Sequence, residues 1–174
     1  MPNRMTRRYR RDQGWEICVI GTPSAAKFLD ADQLAELTGH VVRFDYKQPD
    51  EPDALPPPDA LVVAPATFNT INNWAQGISD TLALGLLNEA IGLGLPMGAL
   101  PLAHPGAGAA PGVRPSIAAS AAGACTSSST RTTIHCRCRT WAHQGNDLFP
   151  WAALTHLSPS ISWRRAPAIC YLTL

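Results

Sequence analysis

The sequence holds 174 residues with a formal net charge of +1, and only 16% of them are charged. That length suffices for one domain with a real core, and the charge balance gives no bulk electrostatic reason to expect nucleic acid as a partner. No apolar run reaches the roughly 18–20 residues that a membrane-spanning helix needs. The five cysteines are too scattered for a secreted disulfide framework, so a cytoplasmic address is the expectation.

The chain opens with MPNRMTRRYRRDQ, which carries five arginines but no following apolar signal core, and residues 1–13 read as a basic disordered tail. From Trp15 to about Gly21 an apolar run fits a strand buried on both faces, as in a parallel sheet. Thr22, Pro23 and Ser24 end it. Asp30 or Asp32 can then cap a short helix with Leu34 and Leu37 turned inward, and Gly39 stops it. His40 to Phe44 reads as a second strand. Five prolines between Tyr46 and Pro58 make that stretch a surface loop.

Asp59 to Ala64 reads as a third strand, ended by Pro65. Asn69 to about Ala75 then forms one or two helical turns closed near Gly77. Ser79 or Asp80 is the expected cap of a helix over Thr81 to Ile91, with Leu82, Leu86, Leu87 and Ala90 on one face. Gly92 with Gly94 ends that helix, and Pro96 to Leu100 reads as a fourth strand. Strands alternating with helices in short units predict an α/β fold, a Rossmann-like parallel sheet flanked by helices.

Composition changes sharply at Pro101. Twelve of the 13 acidic residues precede position 100, while residues 101–174 carry six arginines against Asp147 alone. Residues 102–145 show neither a helical nor a strand period. Low order is one reading of this, and a disruption of the reading frame is another, because GC-rich DNA read out of frame yields such an Arg, Ala, Pro, Ser and Gly mixture. The expected organisation is a tail over 1–13, a partial α/β domain over 14–101 and a low-order or frame-disrupted segment over 102–174.

The stretch from Ala64 to Ala90, APATFNTINNWAQGISDTLALGLLNEA, places hydroxyls and an asparagine where a buried strand hands over to a helix. Thr67, Asn69 and Thr70 stand there, where free N–H groups and the helix dipole favour a polar or anionic ligand. Asparagine supplies both a donor and an acceptor. Helix capping alone also accounts for such residues. This stretch resembles the flavin-binding segment of the flavoprotein family that includes the homo-oligomeric flavin-containing cysteine decarboxylases. Pro65, Ala66, Thr67, Asn69, Thr70, Gly77, Ile78 and Asp80 carry the likeness. So does VIGTPSAAKFLD, through Thr22, Ser24, Ala25 and Phe28.

The resemblance implies FMN as cofactor, with Ala66, Thr67, Asn69 and Thr70 at the flavin and Thr22 and Ser24 approaching it from the neighbouring strand. It also implies a homo-oligomer acting on a small-molecule substrate of unknown identity. Three departures stand against a decarboxylase. The family's first strand, phosphate loop and first helix have no counterpart before Gly14. No histidine lies between Asp45 and Asp59, where the decarboxylases keep a catalytic one, and the nearest is His40. The Pro-Met-Asn substrate clasp is not found in LPMGALPLAHP. The two readings are therefore an FMN-binding flavoprotein of unknown reaction, and a truncated or frame-disrupted remnant that binds flavin weakly or not at all.

Other constellations are weaker. His135, Cys136, Cys138 and His143 cluster without a zinc-finger spacing, and no metal is expected. Arg164 and Arg165 lack the aromatic interleaving of a single-strand binder. Phe149 to Trp151 resembles a short family element. Ser24 and Ser79 have no His–Asp pairing that would make a hydrolase triad.

Overall fold

A computed structural model describes residues 15–95, 97–102, 115–116, 133–134 and 168–173. Five parallel strands form one sheet in the order β1-β5-β2-β3-β4. They are β1 (Glu16–Gly21), β2 (Ala60–Thr67), β3 (Met97–Leu102), β4 (Thr133–Ile134) and β5 (Ala168–Thr173). Among the described residues they are accompanied by α1 (Ala31–Thr38), α2 (Phe68–Ala75) and α3 (Leu82–Gly92). The expected α/β class and parallel sheet are present.

β1 is buried at every position but Glu16, as a strand covered on both faces must be. Cys18, Ile20, Leu61 and Val63 share one side of the sheet with Met97 and Ala99, and α2 and α3 cover it with Ile71, Trp74, Leu84, Leu87 and Ala90. Ile17 and Val19 alternate to the other side, where α1 packs on β1 through the buried Leu34. Leu87 is fully buried, which contributes about 1.5–3 kcal/mol of hydrophobic stabilisation.

The ends of α1 follow the sequence. The Asp30 carboxylate accepts a hydrogen bond from the Gln33 N–H at 3.0 Å, and Gly39 closes the helix at φ 78°, a left-handed conformation that suits glycine.

Three local expectations are corrected. His40–Phe44 does not form a strand: only Arg43 bridges to β1, donating to the Val19 carbonyl and accepting from the Gly21 N–H. The Thr38 hydroxyl accepts from the His40 N–H and Val41 is half exposed, so the segment leaves the sheet edge on both sides of that bridge. Pro65 does not end the strand, since β2 runs through it to Thr67. The pairing with β3 shifts register between Val63 and Ala66, and such an irregularity tolerates a residue without an N–H. The cap of α3 is Thr81, not Ser79 or Asp80: the Leu84 N–H donates to the Thr81 hydroxyl at 3.3 Å.

Two strands come from beyond Pro101. β5 pairs with β1 over six residues, from Glu16↔Ala168 to Gly21↔Thr173, and with β2 from Ala60↔Ile169 to Val63↔Leu172. β4 adds a short pairing to β3, Gly98↔Thr133 and Ala99↔Ile134. Most of 102–145, expected to lack a regular period, lies outside the described residues, as do the tail over 1–13, the His135–His143 cluster, Phe149–Trp151 and Arg164–Arg165.

Candidate functional site at the C-terminal strand edge

All strands point the same way, so their C-terminal ends form one edge of the sheet, the side on which open α/β sheets bind ligands. Here that edge is stepped. β2 continues for four residues past its last pair with β5, while β1 ends level with Thr173. The β5 end is therefore set back between the longer β2 and the turn that follows β1. Thr22–Ser24 stand on one side of it and Thr67–Thr70 on the other, two strand spacings or about 10 Å apart.

The sequence-expected residues occupy this edge in distinct ways. Thr67 caps α2, and its Oγ1 lies 3.0 Å from Thr70 Oγ1. The Thr70 N–H reaches the Thr67 hydroxyl at 3.4 Å. The first N–H groups of α2, on Phe68 and Asn69, have no intrahelical acceptor and face the edge with the positive end of the helix dipole. Asn69 is exposed. Ser24 is exposed and its side chain makes no capping bond to the short 3₁₀ turn Ala25–Lys27. Thr22 is half-buried, its carbonyl accepting from the Ala25 N–H at 2.9 Å. Ala66 differs from the rest: its side chain is fully buried in the core under α2 and α3, leaving only its backbone for a ligand.

Two further polar atoms on α2 are buried without a hydrogen-bond partner, Asn72 Oδ1 and Trp74 Nε1. Native interiors leave few such groups. Asn72 lies one turn beyond Asn69 on the same side of the helix. The donor set at this edge, of hydroxyls, an amide and free backbone N–H groups, suits a ligand with polar or anionic groups.

Sequence reasoning missed what steadies the far side of α2. The Asn88 amide on α3 donates to the Ile78 carbonyl at 3.1 Å and to the Ser79 hydroxyl at 2.7 Å. It thereby fixes the connection between α2 and α3 across nine and ten residues. The Tyr46 hydroxyl donates to the Thr81 carbonyl at 3.2 Å, tying the proline-rich loop to the start of α3. No local pattern signals either contact.

His40 stands at the opposite end of the sheet. Its Nε2 is 2.7 Å from Glu16 Oε1, at the first residue of β1. The length of β1 separates that position from the C-terminal edge by about 16 Å. Among the described residues, no group of three or more His, Cys, Asp and Glu side chains is placed to hold a metal ion. No described helix is long and apolar enough to cross a membrane.

A cavity of about 460 Å³ lies elsewhere, between the proline-rich loop, α3 and the strands β1 and β2. None of the six expected site residues lines it.

A family model described as Flavoprotein matches residues 3–106. Several solved structures share the fold, among them the following three. The FMN-dependent cysteine decarboxylase TvaF from thioviridamide biosynthesis is 24% identical with a TM-score of 0.60, covering 76% of this chain and 80% of that one. The cypemycin decarboxylase CypD is 22% identical with a TM-score of 0.59, covering 76% and 73%. The FMN-dependent cysteine decarboxylase SpaF is 18% identical with a TM-score of 0.57, covering 76% and 75%. No protein of curated annotation is significantly similar to the chain.

Proposed function

The chain belongs to the Flavoprotein family, and from that premise we propose that it binds FMN at the stepped C-terminal strand edge. The observation that carries the reading is the opening of α2 at the end of β2, where Thr67, Asn69 and Thr70 present hydroxyls, an amide and free N–H groups together. Thr22 and Ser24 approach from the end of β1, and the Ala66 backbone completes the wall. When bound, the flavin would supply the electron chemistry. The residues of this chain bind and orient it: donors at the α2 start favour electron-rich flavin atoms, and the Thr67–Thr70 pairing holds both hydroxyls in place.

FMN dependence in SpaF and TvaF supports the choice of flavin. The reaction is a separate matter. The resemblance would place a decarboxylase histidine between Asp45 and Asp59, where the sequence has none, and His40 pairs with Glu16 at the start of β1. We therefore assign flavin binding and flavin-dependent chemistry on a small molecule, without assigning decarboxylation. Homo-oligomer formation and a cytoplasmic address belong to the same reading.

The experiment is to titrate the full purified chain with FMN, following flavin fluorescence, and to repeat it with Thr67→Val and Asn69→Asp. Saturable binding weakened by both substitutions supports the assignment. No binding at all would leave the alternative reading, a non-catalytic remnant.

A further inference from the structure

The cavity under the proline-rich loop is walled by Leu82, Leu86 and Leu93 of α3, by Ile20 and Leu61 of the sheet, and by three successive prolines, Pro56 to Pro58. Its volume falls in the range of sites that enclose small molecules, and apolar walls with a few polar groups are the usual make-up of such sites. Four charged residues reach it: Arg43, Lys47, Asp53 and Glu89. Lys47 and Asp53 satisfy one another at 2.7 Å. Arg43 is different. Its Nη2 donates to the Asp45 carbonyl at 3.1 Å, a neutral acceptor, and it forms no ion pair among the described residues, Asp53 feeling its charge only from a distance while pairing with Lys47.

The backbone of Arg43 is fixed on both sides by hydrogen bonds to β1, 2.7 Å to Gly21 and 3.2 Å to Val19, and its side chain is half-buried. A guanidinium held in that way keeps further N–H donors for a planar anion. Glu89 is exposed on the surface of α3, where water screens its charge. We infer that this cavity is a second ligand site that takes an apolar carboxylic acid, its chain against the leucine and proline walls and its carboxylate on Arg43. The site is distinct from the flavin edge and does not rest on the flavin assignment.

Decanoate, decanol and decylamine share one chain and differ in the head group, so they separate burial of the chain from recognition of charge. Calorimetric titration of the full chain should show decanoate binding about tenfold or more tighter than decanol, as a charge-assisted hydrogen bond gives, with decylamine weakest. Arg43→Gln keeps the backbone bonds to β1 and should remove the preference for decanoate while leaving decanol binding unchanged. Leu86→Trp, checked for folding by its thermal transition, should fill the cavity and weaken all three. Equal affinities for decanoate and decylamine, an unchanged preference in Arg43→Gln, or full decanoate binding in folded Leu86→Trp would each overturn the inference.

Discussion

The Tyr46 hydroxyl rests over Gly85, leaving no room for a Cβ there, and donates to the Thr81 carbonyl at 3.2 Å. The glycine in mid-helix therefore permits a long-range strap between the proline-rich loop and α3. Gly85→Ala should gain about 1 kcal/mol of helix propensity while expelling the phenol and losing about 0.5–1 kcal/mol of hydrogen bonding. Urea unfolding should show little net change in the wild-type background. In Tyr46→Ala the same substitution should stabilise by about 1 kcal/mol, so the double-mutant cycle reports the coupling.

At the proposed flavin edge, Asn69→Asp is expected to weaken FMN binding more than Asn69→Ser. Ionised aspartate has no amide donor and places charge beside an electron-rich ring, whereas serine keeps one donor. The aspartate variant should lose on the order of 1–3 kcal/mol of binding free energy. Asn69 is exposed in the first turn of α2, after the Thr67 cap, so thermal stability without flavin should stay close to wild type. Equal FMN affinities in all three proteins would make Asn69 a surface residue of the first turn and nothing more.

Asp30→Ala removes the acceptor of the Gln33 N–H at the start of α1. The expected cost is about 1 kcal/mol in chemical denaturation, while Asp32→Ala should cost less, since the cap is Asp30.

The Lys47 ammonium beside Asp53 holds that carboxyl below its ordinary value, first through the hydrogen bond and then through its charge, with a smaller contribution from Arg43. A depressed folded-state value means that the ion pair's contribution is present above the ordinary aspartate range and fades as pH falls through the lowered value. In an NMR titration the Asp53 midpoint should rise in Lys47→Met. Because Asp53 is fully exposed, global stability should hardly respond.

Most of the fold is legible in the sequence wherever a local signal decides it. The apolar run of β1, the Asp30 cap and the Gly39 stop all act within a few residues. The three corrected elements turn on contacts that no window contains. Ser79 is a good cap in isolation, but its hydroxyl is taken by Asn88 nine residues later, and Thr81 caps instead. Pro65 reads as a breaker, yet the register shift against β3 accommodates it. The run after His40 has strand composition, but it meets β1 only at Arg43. The candidate site is legible as chemistry in Thr67, Asn69 and Thr70. Its shape is not, because the step depends on β5, a segment more than 100 residues away from the end of β2.

That same pairing orders events during synthesis. β1 and β2 have no hydrogen bonds to one another; each bonds to β5. Among the described residues only Ala168–Thr173 fills the gap between them, so in synthesis the centre of the sheet closes after every other described strand is made. Until then two apolar edges stand open side by side, and such edges invite pairing with other chains. A chain stopped between β2 and β5 is therefore expected to aggregate more readily than one that includes β5.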